Sequence, residues 1–147
     1  DETENTGIFR LLTEALIRLE MENDPWLAIR YYEIHLLDLL GYRPHLFECA
    51  NCAREITAQD QYFSAAQGGV LCPACGTNLP GVWQVSMEAL KYLRHFQRSD
   101  YAGVQKARPA PQVQSEVEAL LQHYVTYLLE RSLNSPAFLR QITDQSP

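Results

Sequence analysis

All four cysteines of this 147-residue chain lie in one stretch, as Cys49-Ala-Asn-Cys52 and Cys72-Pro-Ala-Cys75, two Cys-x-x-Cys pairs with nineteen residues between them. Each short spacing turns the chain so that both sulfurs face one point, and two such pairs supply four corners of a tetrahedron about 2.3 Å from a zinc ion. The spacer falls within the range expected for two knuckles on one metal. Disulfides need an oxidising compartment, and the acidic, polar opening DETENTGIFRLL is unlike a secretory signal, which is basic and then apolar. A thioredoxin-like redox motif calls for one pair at a helix N-terminus in a βαβ setting, whereas here two pairs sit in irregular chain. Four thiolates can also hold an iron–sulfur cluster, which stays open as an alternative. The reading is Zn2+ bound by Cys49, Cys52, Cys72 and Cys75. Four thiolates close the site to water and substrate, so the metal is structural.

Other chemistry is sparse. His35, His45, His95 and His123 are scattered, and none is spaced with a second histidine or a glutamate as a metalloprotease helix requires. The chain has no nucleophile elbow, Walker loop or dinucleotide fingerprint, which argues against an enzyme. Lys91, Arg94 and Arg98 fall at i, i+3 and i+7, on one face of a helix, with Lys106 and Arg108 following. They form either an anion-binding strip or an ordinary solvated face. Tyr62 and Phe63 either stack on nucleic-acid bases or pack over the metal site. The formal charge of −6, which becomes about −8 with zinc on four thiolates, repels phosphates and excludes a stand-alone basic nucleic-acid binder. No apolar run approaches a membrane span, so a soluble cytoplasmic protein is expected.

The elements that must position the cysteines are mostly helical. Ile8, Phe9, Leu12, Leu16 and Leu19 recur at helical spacing from Thr6, read as an N-cap, to Met21. A second helix starts with Asp24 as cap and Pro25 at its first position, and stops at Gly41 with Pro44 beyond. Helical periodicity then fails from His45 to Val85. Within that break, Gln61–Ser64 and Val70–Cys72 read as two strands around Gly68-Gly69, both expected at positive φ. The hairpin brings the second knuckle back beside the first. Ser86 caps a third helix, Ser99–Gln114 reads as a linker, Ser115 and Glu118 form a capping box, and Ser135-Pro136 opens a last short helix before a polar tail. The expected fold class is mainly α, a helical bundle with an inserted zinc-ribbon-like β-hairpin module. Its divisions are 1–44 (helical, first part), 45–85 (zinc-binding insertion) and 86–147 (helical, second part).

In this order the motifs resemble the C-terminal part of the RecO family, bacterial mediators of recombinational DNA repair. The segments that carry the likeness are RYYEIHLLDLLGYRPHLFECANC, YFSAAQGGVLCPAC and SPAFLRQ, which together span nearly the whole chain. The resemblance implies an N-terminal OB-fold domain, absent here, that carries much of the binding to single- and double-stranded DNA. It also implies pairing with RecR and recognition of the acidic C-terminal tail of single-strand-binding protein. In that family a basic residue of the second helix lies close to the tail's receptor groove, at the position of Arg30, with Tyr31 and Tyr32 beside it. Arg30, Tyr31, Lys91, Arg94 and Arg98 are therefore the candidate partner-binding residues, with a plain surface role as the competing account of Arg30. Two other functions remain to be separated from this one: a cytosolic redox or metal-transfer protein with reactive thiolates, and a zinc-ribbon interaction module unrelated to repair.

Overall fold

The computed structural model describes residues 2–22 and 24–145. Asp1, Asn23, Ser146 and Pro147 lie outside the described residues, the last two at the end of the expected polar tail. Helix α1, Glu2–Met21, packs along α2, Pro25–Leu39. The start of α2 is as expected: Asp24 accepts the Trp26 N–H at 2.9 Å through Oδ1, and Pro25 fills the first helical position. Thr6, by contrast, is not a cap. The helix already begins at Glu2, and the Thr6 hydroxyl donates to the Glu2 carbonyl at 2.7 Å within it. Glu2 suits the first turn, where negative charge is favoured by the positive end of the helix dipole.

Strands β1 (Gln61–Ser64), β2 (Gly69–Leu71) and β3 (Trp83–Val85) form an antiparallel sheet in the order β2-β1-β3. The hairpin register pairs Tyr62 with Leu71 and Ser64 with Gly69, while β3 pairs Val85 with Gln61 and Trp83 with Phe63. Only Gly68 of the two hairpin glycines has positive φ, at +75°. Gly69 serves another purpose. A Cβ there would lie 2.5 Å from the His45 carbonyl oxygen, and that close approach lets His45 exchange backbone bonds with Gly68 and Val70. The third strand was not expected, because two of its three residues are exposed and show no alternating pattern.

The second knuckle runs into a one-turn helix α3, Pro73–Gly76. Helix α4, Met87–Arg98, is capped as expected by Ser86, whose hydroxyl oxygen accepts the Ala89 N–H at 3.1 Å. Asp60 also accepts from Met87 N at 3.0 Å, and Glu116 accepts from Ser86 N at 2.7 Å, so distant carboxylates complete the start of α4. The expected linker holds a short helix α5, Tyr101–Val104, and then gives way early to α6, Pro111–Leu133. The capping box at Ser115 and Glu118 does not form. Pro111 takes the first helical position, and the Ser115 hydroxyl bonds the Pro111 carbonyl at 3.2 Å inside the helix. Helix α7 spans Pro136–Gln145, with Ser135 accepting the Phe138 N–H.

The chain is therefore mainly helical, with a small antiparallel sheet beside the cysteines. One contiguous core joins Ile34, Leu93, Phe96 and Leu121 of the helices to Leu46, Phe63, Val70 and Leu71 of the cysteine-bearing segment. Phe63 meets Tyr124 of α6 edge-on at 5.4 Å, so it packs into the core. Tyr62 lies against Gly76, where a Cβ would come within 2.6 Å of its ring. On α1, Phe9, Leu16 and Ile17 remain exposed. Phe96 has no exposed surface and Phe9 is 69% exposed. Urea denaturation is expected to show Phe96→Ala losing about 3–5 kcal/mol, and Phe9→Ala within about 0.5 kcal/mol of the parent chain.

Candidate metal centre

The sheet brings the two knuckles together. Cys49 and Cys52 bracket a turn at residues 50–52, Cys72 follows β2 as the N-cap residue of α3 and Cys75 lies in α3, and their four sulfurs all fall within 4.8 Å of one another. Cys52 Sγ and Cys72 Sγ are 3.8 Å apart. Sulfurs at the corners of a tetrahedron about 2.3 Å from zinc are separated by about 3.8 Å, so the arrangement fits a four-thiolate metal site. Backbone links hold the first knuckle in place: Cys49 N donates to Arg54 O at 2.7 Å, Ala53 N to Cys49 O at 2.9 Å, and Ala50 N to Val70 O at 2.8 Å. Ala53 takes φ of 64°, the left-handed turn that closes the knuckle.

The thiols are electrostatically divided. Burial opposes ionisation of Cys49, but backbone N–H groups of Cys52, Cys72 and Asn51 aimed at its sulfur outweigh this and lower its pKa to about 6. At Cys75 the Asn51 amide favours the thiolate, yet the neighbouring sulfurs of Cys72, Cys52 and Cys49, together with desolvation, push the thiol up to about 11. Like charges this close do not all form without a cation among them. A divalent ion removes that conflict, which is the physical case for a metal here. Asn51, whose Nδ2 donates to Cys75 Sγ at 3.4 Å, was not singled out from the sequence, where only its place inside the first knuckle marked it.

The remaining candidates divide into two groups. Arg30 is buried, donating through Nη1 to Glu118 Oε1 at 2.5 Å and through Nη2 to Glu33 Oε1 at 2.9 Å, so its fork already ties α2 to α6. It is not a plain surface arginine. Tyr31 is buried as well, edge-on to Tyr101 at 5.3 Å, with the Arg18 guanidinium 5.1 Å from its ring. Lys91, Arg94 and Arg98 do share one side of α4. Arg94 is half-buried and donates to the carbonyls of Leu46 at 2.8 Å and Ile56 at 3.3 Å, while Lys91 and Arg98 are exposed. Phe47, not foreseen, joins them: the guanidinium carbons of Arg94 and Arg98 lie 4.8 and 3.7 Å from its ring centre. Among the described residues, no carboxylate pairs with any of these three cations, unlike Arg18, Arg30, Arg43 and Arg108.

Comparison with known proteins adds a family. A family model described as "Recombination protein O C terminal" matches residues 1–137. A protein named DNA repair protein RecO from a Roseiflexus species is 38% identical over 142 residues, covering 97% of this chain and 50% of its own. One of the same name from Dehalococcoides mccartyi is 35% identical over 131 residues, covering 89% and 51%. The chain spans about half the length of these relatives. No solved structure matches. Among the described residues no helix is long and apolar enough to cross a membrane.

Two outcomes are expected from these sites. Adding a divalent soft metal at pH 7.5 should release protons, including that of Cys75, and metal affinity should fall as the pH drops through about 6, where Cys49 also takes up a proton. Titration calorimetry in buffers of different ionisation enthalpy measures this release. Arg30→Ala should cost about 1–3 kcal/mol in urea denaturation, because it removes two charge-assisted hydrogen bonds and leaves partly buried Glu33 without its cation, while half-exposed Glu118 is screened by water; a loss under about 0.5 kcal/mol would show that the pair does not hold the two helices together.

Proposed function

The chain belongs to the recombination protein O family, and from that membership we propose that it is the helical and zinc-binding half of a recombination mediator in DNA repair. The observation that carries this reading is the family match across residues 1–137. It acts without catalysis, as a cytoplasmic protein that works through contacts. Zinc is held by Cys49, Cys52, Cys72 and Cys75, and residues 45–85 form an insertion between the helical parts 1–44 and 86–147. The zinc does no chemistry on a substrate. Its free energy adds to the core packing of Leu46, Phe63, Val70 and Leu71 in ordering the irregular chain around the cysteines.

The acidic C-terminal tail of single-strand-binding protein is the partner that best suits the exposed cations. Because Arg30 is already paired with two glutamates, the tail's carboxylates meet Lys91 and Arg98 instead, with half-buried Arg94, which already donates to the Leu46 and Ile56 carbonyls, adding its charge from behind. Arg30 and Tyr31 support the assembly from beneath by fixing α2. Two guanidinium groups stand against one phenyl ring without a carboxylate in ion-pair contact, although Glu48 and Glu55 line the same concavity, and the free charge of Arg98 with Lys91 favours an acidic peptide. RecR pairing, and binding of single- and double-stranded DNA mainly through an OB-fold domain, belong in this proposal to the full-length protein.

A fluorescently labelled peptide of the tail is expected to bind the purified chain, and Arg98→Glu should weaken binding about tenfold or more, equivalent to about 1.4 kcal/mol. Raising salt should weaken it further. Equal binding by Arg98→Glu would remove the tail from α4.

A further inference from the structure

The four sulfurs of the metal centre are chemically unequal. Cys49 and Cys72 are buried, Cys75 is half-buried, and Cys52 is exposed. Hydrogen bonding is equally uneven. Cys49 Sγ accepts the Cys72 N–H at 3.3 Å, and Cys75 Sγ accepts the Asn51 side-chain amide at 3.4 Å. Among the described residues no N–H donor points at Cys52 Sγ. Its near neighbour is Cys72 Sγ at 3.8 Å. An N–H donor withdraws electron density from a thiolate and blunts its attack, and burial denies reagents access, so both effects leave the same sulfur most reactive.

We propose that Cys52 is the modification site of this centre, the sulfur that peroxides and soft electrophiles attack first, and that Cys72 resolves its oxidised form. The inference rests on the zinc reading above. The Cys52 thiolate attacks one peroxide oxygen, an S–O bond forms, the O–O bond breaks, and hydroxide leaves with the electron pair. Sulfur has then lost two electrons and is a sulfenic acid. The Cys72 thiolate displaces the second hydroxide, so that an S–S bond forms and the S–O bond breaks. Two thiolates, one hydrogen peroxide and two protons give one disulfide and two waters. The metal keeps two thiolates only, too few to hold it, and leaves.

Placement of Arg54 makes the test direct. Trypsin cleaves after Arg54, which puts Cys49 and Cys52 on one peptide and Cys72 and Cys75 on another. A Cys52–Cys72 disulfide therefore links two peptides, while a disulfide inside either knuckle links none. The purified chain is first assayed for zinc, then treated with less than one equivalent of hydrogen peroxide or of N-ethylmaleimide, quenched, digested and mapped by mass spectrometry. A chromophoric chelator follows zinc release in parallel.

The expected result is maleimide on Cys52 before the other three, a peroxide-dependent link between Cys52 and Cys72, and zinc release in step with it. Asn51→Ala retains every sulfur and is expected to raise Cys75 labelling relative to Cys52 by about tenfold. First modification at Cys49 or Cys75, an even spread over the four, or disulfides confined within the knuckles would overturn the proposal while leaving zinc binding intact. A chain isolated without zinc and with freely reactive thiols throughout would overturn both.

Discussion

Four sulfurs held within 4.8 Å of one another set the constraint on which the cysteine-bearing segment depends. As thiolates they repel, and as thiols they contribute little beyond modest apolar packing. Neither state explains why the chain closes two knuckles onto one point. With a divalent ion at the centre the same arrangement becomes attractive, and the surrounding geometry follows from it. The β1–β2 hairpin carries the second knuckle back, Gly69 lets the chain at His45 pass against β2, and Gly76 lets α3 lie on the Tyr62 ring. Each of these close approaches needs the absence of a side chain at a single position.

Helix α4 transmits that order to the rest of the molecule. Its side chains reach the cysteine-bearing segment and the residue that leads into it with polar bonds to three backbone carbonyls, Gln97 to Pro44 at 2.9 Å and Arg94 to Leu46 and Ile56. Its opening turn is completed by carboxylates from Asp60 before it and Glu116 after it in the chain. The adjoining face, which Gln97 shares, buries Leu90, Leu93 and Phe96 among α2 and α6. A basic surface at Lys91 and Arg98 is thus mounted on an element fixed from both sides. Phe47, two residues before the first cysteine, stands against that surface, so metal ligation and the cationic face are physically adjacent.

Local signals were readable where a single residue type suffices. Asp24-Pro25 and Ser86 mark helix starts by the chemistry of unsatisfied N–H groups, and the cysteine spacing marked the four sulfurs that the fold gathers within 4.8 Å of one another. What escaped notice depends on partners distant in sequence. Trp83–Val85 became a strand because β1 offered an open edge, not because of its own pattern. Ser115 lost its expected role to Pro111, whose fixed φ starts the helix four residues earlier. Arg30 looked like a surface residue or a ligand for a partner until Glu118, eighty-eight residues away, proved to be bonded to it. Phe47 gave no sequence signal, and Asn51 none beyond its place inside the first knuckle, for the same reason: their importance comes from Arg98 and Cys75.

Continuity of the core carries a consequence for the chain in a cell. Leu46, Phe63, Val70 and Leu71 share one packed cluster with Ile34, Leu93 and Phe96, with no seam between the cysteine-bearing segment and the helices. Free energy supplied by a ligand to one part of such a cluster is shared by all of it, and grows with the logarithm of free ligand concentration. Under the zinc reading proposed above, the buffered zinc level of the surrounding medium would therefore be a thermodynamic coordinate of the whole fold, setting how long the helical surfaces persist against thermal opening and proteolysis at a distance from the sulfurs.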